Sequence, residues 1–140
     1  MHDGLPDFTG LRVSQDARAC TRWPGIHRIA LLHEPGLSLD PALIHSGGNS
    51  GYQAVNLALH TGAARIVLVG YDMRRGDDGQ AHWHGDHPPG LNNAPPDALA
   101  RWVRAFDSIP PTLPAGVEII NATPGSAVTA FPFAPLETLF

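Results

Sequence analysis

Three observations predict a three-layer α/β fold: a mainly parallel sheet with helices on both faces, in the Rossmann-like arrangement. Apolar runs suited to strands alternate with amphipathic segments of helical period, as in βαβ units. The run Ile66-Val67-Leu68-Val69 is continuously apolar, the pattern of a strand covered on both faces in a parallel sheet. The 15 Gly and 14 Pro fall in clusters between these runs and punctuate them as turns. Right-handed crossovers then turn the order β–α–β–α–β into a doubly wound sheet. The 140 residues fit one domain, 1–140.

The elements follow in order. Residues 1–10 read as a loose lead-in, and Leu11 to Gln15 as a short strand. Arg28 to Leu32 is a second strand, stopped by Glu34-Pro35-Gly36. After Ser46-Gly47-Gly48-Asn49-Ser50-Gly51 a helix runs to about Thr61, with Tyr52, Val55, Ala58 and Leu59 facing the core. Asn49 or Ser50 can cap it, because their side-chain oxygens accept free amides of the first turn, and Gly62 closes it. Arg65 to Val69 forms the buried strand and ends in Gly70-Tyr71-Asp72. A long polar loop, 73–95, follows, and a loop of that length in a small domain is usually functional. Pro95-Pro96-Asp97 opens a helix whose apolar face is Leu99, Trp102, Val103 and Phe106, and Pro110-Pro111 ends it. Val117 to Ile120 is a further buried strand, and Pro135 to Phe140 a short terminal helix.

Composition excludes several chemistries. The nine basic residues are all Arg, so no Lys is present for a phosphate-binding loop, a pyridoxal Schiff base or a kinase strand. The single Cys20 forms no intrachain disulfide and no multi-cysteine zinc site, and no paired base near it supports a nucleophile. A net charge of -4 argues against a nucleic-acid partner. No apolar run approaches about 18 residues, so no membrane span is expected. Without a visible leader sequence the expected location is cytoplasmic.

In doubly wound sheets ligands bind beyond the carboxyl ends of the strands. Three segments map there: the glycine-rich loop, Tyr71-Asp72 with the histidine loop, and Asn121-Ala122-Thr123-Pro124-Gly125-Ser126. Gly48, Asn49, Ser50 and Gly51 open a helix whose amides can hold a phosphate, or simply form a capped turn. Asp72 can meet a ribose or a loop amide. Arg74 and Arg75 can neutralise phosphate charge, or simply be solvated, as such pairs more often are. Asn121, Thr123 and Ser126 can contact a base, sugar or phosphate, or brace their own turn. His82-Trp83-His84-Gly85-Asp86-His87 is the richest segment, and a histidine there suits proton transfer near neutral pH. Its H-x-H-x-D-H pattern looks like the metallo-β-lactamase metal motif. Here it follows a polar stretch instead of an apolar strand, and no histidine lies downstream of His87. His27, His33, His45 and His60 read as structural.

Ser46 to Gly51, Ala54, Leu57-Ala58, Gly62, Arg65 to Gly70 and Asp72 together resemble the core of the bacterial sialyltransferases of glycosyltransferase family 42. The same block resembles the MptE-like proteins. It is similar again to small phage and prophage proteins of unassigned function, through Gly48-Asn-Ser-Gly-Tyr-Gln53, His82 to Pro88 and Asn121 to Ser126. The resemblance covers roughly residues 46–136. It implies a cytidine-nucleotide donor held by Gly48, Asn49, Ser50 and Gly51; on the reading of the residues themselves, Asp72, Asn121, Thr123 and Ser126 are expected to add contacts at the same edge. It implies His87 or His82 as the base that deprotonates the acceptor, with no metal needed; His84 is a further candidate in the same loop, and no cofactor is expected. The family's opening strand and Gly-x-Gly-Pro-Ser-like turn have no counterpart in residues 1–45. Either half of the donor site is missing, or the chain is a trimmed version, or a second copy or another subunit completes the site.

The expected function is a glycosyltransferase-like domain that binds a CMP-sugar type donor and a glycan acceptor and transfers with inversion. One alternative is a non-catalytic phage or prophage accessory module on the same scaffold. The other is a metal-dependent hydrolase centred on His82, His84, Asp86 and His87.

Overall fold

Parallel pairing unites the strands that the computed structural model describes, which lie within residues 8–76, 79–80, 87–88, 90, 93–95 and 97–140. In chain order these are β1 (Arg12–Ser14), α1 (Ala17–Arg22), β2 (Ile26–Arg28), β3 (Ala30–Leu32), β4 (Leu43–His45), α2 (Ser50–His60), β5 (Arg65–Leu68), α3 (Ala98–Phe106) and β6 (Glu118–Asn121). Short 3-10 turns lie at Pro110–Thr112 and Leu136–Thr138. The protein is thus a mixed α/β structure of small parallel strand pairs and a few helices: β1 with β2, β3 with β4, and β5 with β6.

The strand expected over Arg28 to Leu32 is part of a longer extended run that changes partners. Ile29 separates β2 from β3, and its amide donates to Ser14 O at 3.0 Å. The next amide, of Ala30, donates to Ala42 O at 2.9 Å. Successive amides of a strand point to opposite edges, so the run carries β1 on one edge and β4 on the other. β5 and β6 are joined through α3, as a parallel pair requires a crossover. The far edge of β6 takes the segment around Phe133, where Asn121 N donates to Pro132 O and Ala134 N to Asn121 O.

Burial corrects the expectation for β5. Ile66 and Leu68 are buried, but Val67 is half-buried and Val69 is 56% exposed. One face of β5 is covered and the other only partly. In β6, by contrast, Ile119, Ile120 and Asn121 are all buried. α3 ends at Phe106, before Pro110-Pro111, which opens a 3-10 turn instead. The terminal segment expected as a helix holds only a 3-10 turn at Leu136–Thr138.

α2 forms as its sequence dictates. Asn49 Oδ1 accepts the amide of Tyr52 at 2.8 Å, and Gly62, at φ +83°, closes the other end with its amide on Leu59 O. Tyr52 and Val55 are buried, Ala58 and Leu59 pack beside them, and the helix lies against β4 and β5. Phe106, the last residue of α3, is fully buried among three aromatic rings: Tyr52 at 5.4 Å, Tyr71 at 5.9 Å and Phe131 at 6.3 Å between centroids. Tilted and edge-on rings at such distances contribute roughly 0.5–1.5 kcal/mol per pair beyond area burial.

Asn56 is a buried polar residue at the centre of α2. Its Oδ1 accepts the amides of both Ser38 and His45 at 3.0 Å, and its Nδ2 donates to Ser38 O at 2.9 Å. One carboxamide thereby fastens the loop after β3, the end of β4 and the helix. His45 and His60 are structural, as expected: His45 Nδ1 lies 2.9 Å from Gly36 O, and His60 Nε2 lies 2.9 Å from Ser38 O.

Candidate functional site at the carboxyl strand edge

The chain leaving β5 holds the site together. Gly70 has φ +76° and Met73 has φ +49°, so left-handed residues bracket Tyr71 and Asp72 and turn the chain across the strand end. Tyr71 reaches in two directions. Its hydroxyl donates to Gly51 O, in the first turn of α2, at 3.1 Å. Its backbone is clasped by the loop after β6: its amide donates to Thr123 Oγ1 at 3.0 Å, and its carbonyl accepts from Ser126 Oγ at 2.5 Å. Ala127 N donates to Asp72 O at 2.8 Å. The glycine-rich loop, Tyr71-Asp72 and the loop after β6, which the sequence maps to one edge, therefore meet there, with Tyr71 as the hub.

The tyrosine ring also explains Gly51. A Cβ on that residue would lie 2.9 Å from Cε1 of Tyr71, so the glycine admits the ring. Burial pushes the Tyr71 phenol above its usual range. Burial likewise raises Tyr52, partly offset by hydrogen bonds with Ser108 and Gly36.

Most side chains expected to touch a ligand serve the fold. Asn49 is the α2 cap, and its Nδ2 donates to Gly47 O. Asn121 is 2% exposed, with Nδ2 donating to Val128 O and Oδ1 accepting from Thr123 N. Thr123 Oγ1 accepts from Tyr71 and donates to Leu68 O at 3.3 Å. Ser126 Oγ also accepts from Val128 N. The Gly48 backbone, the Ser50 side chain and the Asp72 carboxylate remain on the exposed surface of this edge.

Arg74 lies over the loop after β6, its Nε donating to Gly125 O at 2.7 Å, while Arg75 Nη1 donates to Gly79 O at 3.0 Å. Both are exposed, so a guanidinium stands at the edge with its position set by backbone carbonyls. Of the histidine segment, His87 is half-buried and its amide donates to Asn93 Oδ1 at 2.8 Å. His82, Trp83, His84 and Asp86 lie outside the described residues. Among the described residues no three His, Cys, Asp or Glu side chains group around a metal-sized site, and no helix is long and apolar enough to cross a membrane.

Sequence reasoning passed over a neighbouring cleft. His33, Glu34 and Pro35 after β3, Ser46, Gly47 and Gly48 after β4, and Arg104, Ala105 and Ser108 of α3 and its exit line one cavity. The only signal in the chain was the break of β3 at Glu34-Pro35-Gly36; the contribution of α3 comes from residues about 70 positions later, which only the tertiary fold brings near. Comparison with known protein families, curated proteins and solved structures finds no match for this chain.

Proposed function

We propose that the chain is a glycosyltransferase-like domain, on a three-layer Rossmann-like plan, that binds a nucleotide-activated sugar at the carboxyl edge of its strands. The observation that carries this reading is the convergence on Tyr71 of the α2 N-terminus, Asp72 and the loop after β6. Such an edge is where open α/β sheets bind their ligands. The Gly48 to Gly51 backbone and Ser50 would take the donor phosphate, and Asp72 a sugar or ribose hydroxyl. Arg74, already oriented by Gly125 O, would offset phosphate charge. A histidine of the 82–87 segment, His87, His82 or His84, would accept the proton of the acceptor hydroxyl. That oxygen bonds to the sugar carbon as the bond to the nucleotide phosphate breaks. The test is a thermal-shift series with CMP, other nucleoside monophosphates and CMP-sugars. A rise in Tm specific to cytidine nucleotides supports the reading, and no shift with any nucleotide overturns it.

A second reading is favoured by a different observation. Asn49, Asn121, Thr123 and Ser126 all spend their side chains on internal hydrogen bonds, as expected of a scaffold kept without catalysis. The chain would then be an accessory module that binds a protein or glycan partner. In that case a His82→Ala/His87→Ala variant keeps full partner binding and biological effect.

A further inference from the structure

The cavity between β3, β4 and α3 has a volume of about 350 Å³, within the range of small-molecule sites. Its hydroxyl groups are engaged. Tyr52 donates to Gly36 O at 2.6 Å, and Ser108 donates to Ala105 O at 2.6 Å while accepting from Gly36 N at 2.8 Å. Its charged groups are not. Glu34 and Arg104 are both exposed on the cavity wall and form no ion pair or side-chain hydrogen bond among the described residues, not even with each other. His33, next to Glu34 in sequence, also lines the cavity. Part of the lining is bare backbone: Gly47 and Gly48 have φ of +52° and +77°, and a Cβ on Gly48 would come within 3.3 Å of the Trp102 indole. The cavity thus offers a guanidinium for an anion, a separate carboxylate for hydroxyl groups, and close approach to main chain.

We propose that this cavity binds the phosphorylated sugar part of a ligand, with Arg104 on the phosphate and Glu34 accepting from sugar hydroxyls. A guanidinium makes paired, charge-assisted hydrogen bonds to phosphate oxygens, which fits its placement here without an internal partner. The inference rests on the nucleotide-sugar reading through Gly48, which opens α2 and also lines this cavity, so the donor phosphate placed on its backbone would be the one that Arg104 meets; its chemistry is tested without a nucleotide.

The experiment is calorimetric titration of the full chain with ribose 5-phosphate, inorganic phosphate and CMP, repeated on Arg104→Gln, Glu34→Gln and Arg101→Gln. Circular dichroism confirms that each variant folds. Ribose 5-phosphate is expected to bind, to lose about tenfold or more in affinity in Arg104→Gln, and to be unchanged in Arg101→Gln. Glu34→Gln should weaken ribose 5-phosphate and leave inorganic phosphate unaffected. If neither compound binds at millimolar concentration, or Arg104→Gln binds as well as the parent, the proposal is overturned. CMP binding that survives Arg104→Gln removes this cavity and leaves the nucleotide reading standing. Ribose 5-phosphate binding that needs Arg104, with no nucleotide bound, keeps the cavity and removes the nucleotide reading.

Discussion

The amide of Tyr71 donates to the hydroxyl of Thr123 at 3.0 Å, and that hydroxyl donates onward to Leu68 O at 3.3 Å. A single side chain at the end of β6 thus ties down the chain leaving β5. Thr123→Val keeps the shape and leaves the Tyr71 amide without its acceptor. The expected loss is about 1–3 kcal/mol, and Thr123→Ser should recover most of it. Urea denaturation of the three proteins checks this; equal midpoints for Val and Thr would contradict the bridge.

Asn56 should be costlier to replace than its neighbours on α2. Asn56→Leu strands the amides of Ser38 and His45, each worth about 1–3 kcal/mol when left unsatisfied in the interior. Asn49→Ala removes only an end cap, for about 1 kcal/mol. The order of denaturation midpoints, parent above Asn49→Ala above Asn56→Leu, is the outcome to look for.

Two glycines of positive φ should respond differently to alanine. Gly62 has open space around its missing Cβ, so Gly62→Ala carries only the left-handed backbone cost, about 1–2 kcal/mol. At Gly47 a Cβ would lie 2.1 Å from the Tyr52 ring, which is fully buried. Gly47→Ala must also displace the ring that contacts Phe106, and a thermal melt should show the larger loss of Tm there.

Alkaline pH should unfold the protein through Tyr52 and Tyr71. Both phenols are raised from 10.0 by burial, so the folded state holds their protons where the unfolded chain releases them. Their contribution is fully present below pH 10 and is lost as pH rises through the folded values. Urea midpoints should fall on going above pH 10, and less steeply in Tyr71→Phe. A midpoint unchanged across that window would contradict the buried phenols.

The sequence made α2 legible because cap, apolar period and closing glycine all agree there, and β6 legible because its run is apolar on both faces. β4 was not foreseen: three residues, Leu43-Ile44-His45, give no period to read. α1 was missed because Ala17–Arg22 buries nothing and its signal is confined to the Asp16 cap. The strand around Ile29 was seen as one piece, since a change of partner leaves no mark in composition. At the site, the meeting of the glycine-rich loop, Tyr71 and the loop after β6 followed from the expected order of elements. That Thr123 and Ser126 would clasp Tyr71 did not, because their partners lie more than 50 residues away.

The most direct test of the central claim is an amide-detected NMR titration of the isotopically labelled chain with CMP. The account predicts saturable shifts that cluster at Gly48, Ser50, Gly51 and Asp72, the backbone around the Tyr71 hub. Shifts absent at saturating nucleotide, or confined to β1 and β2 at Val13 and His27, would contradict it.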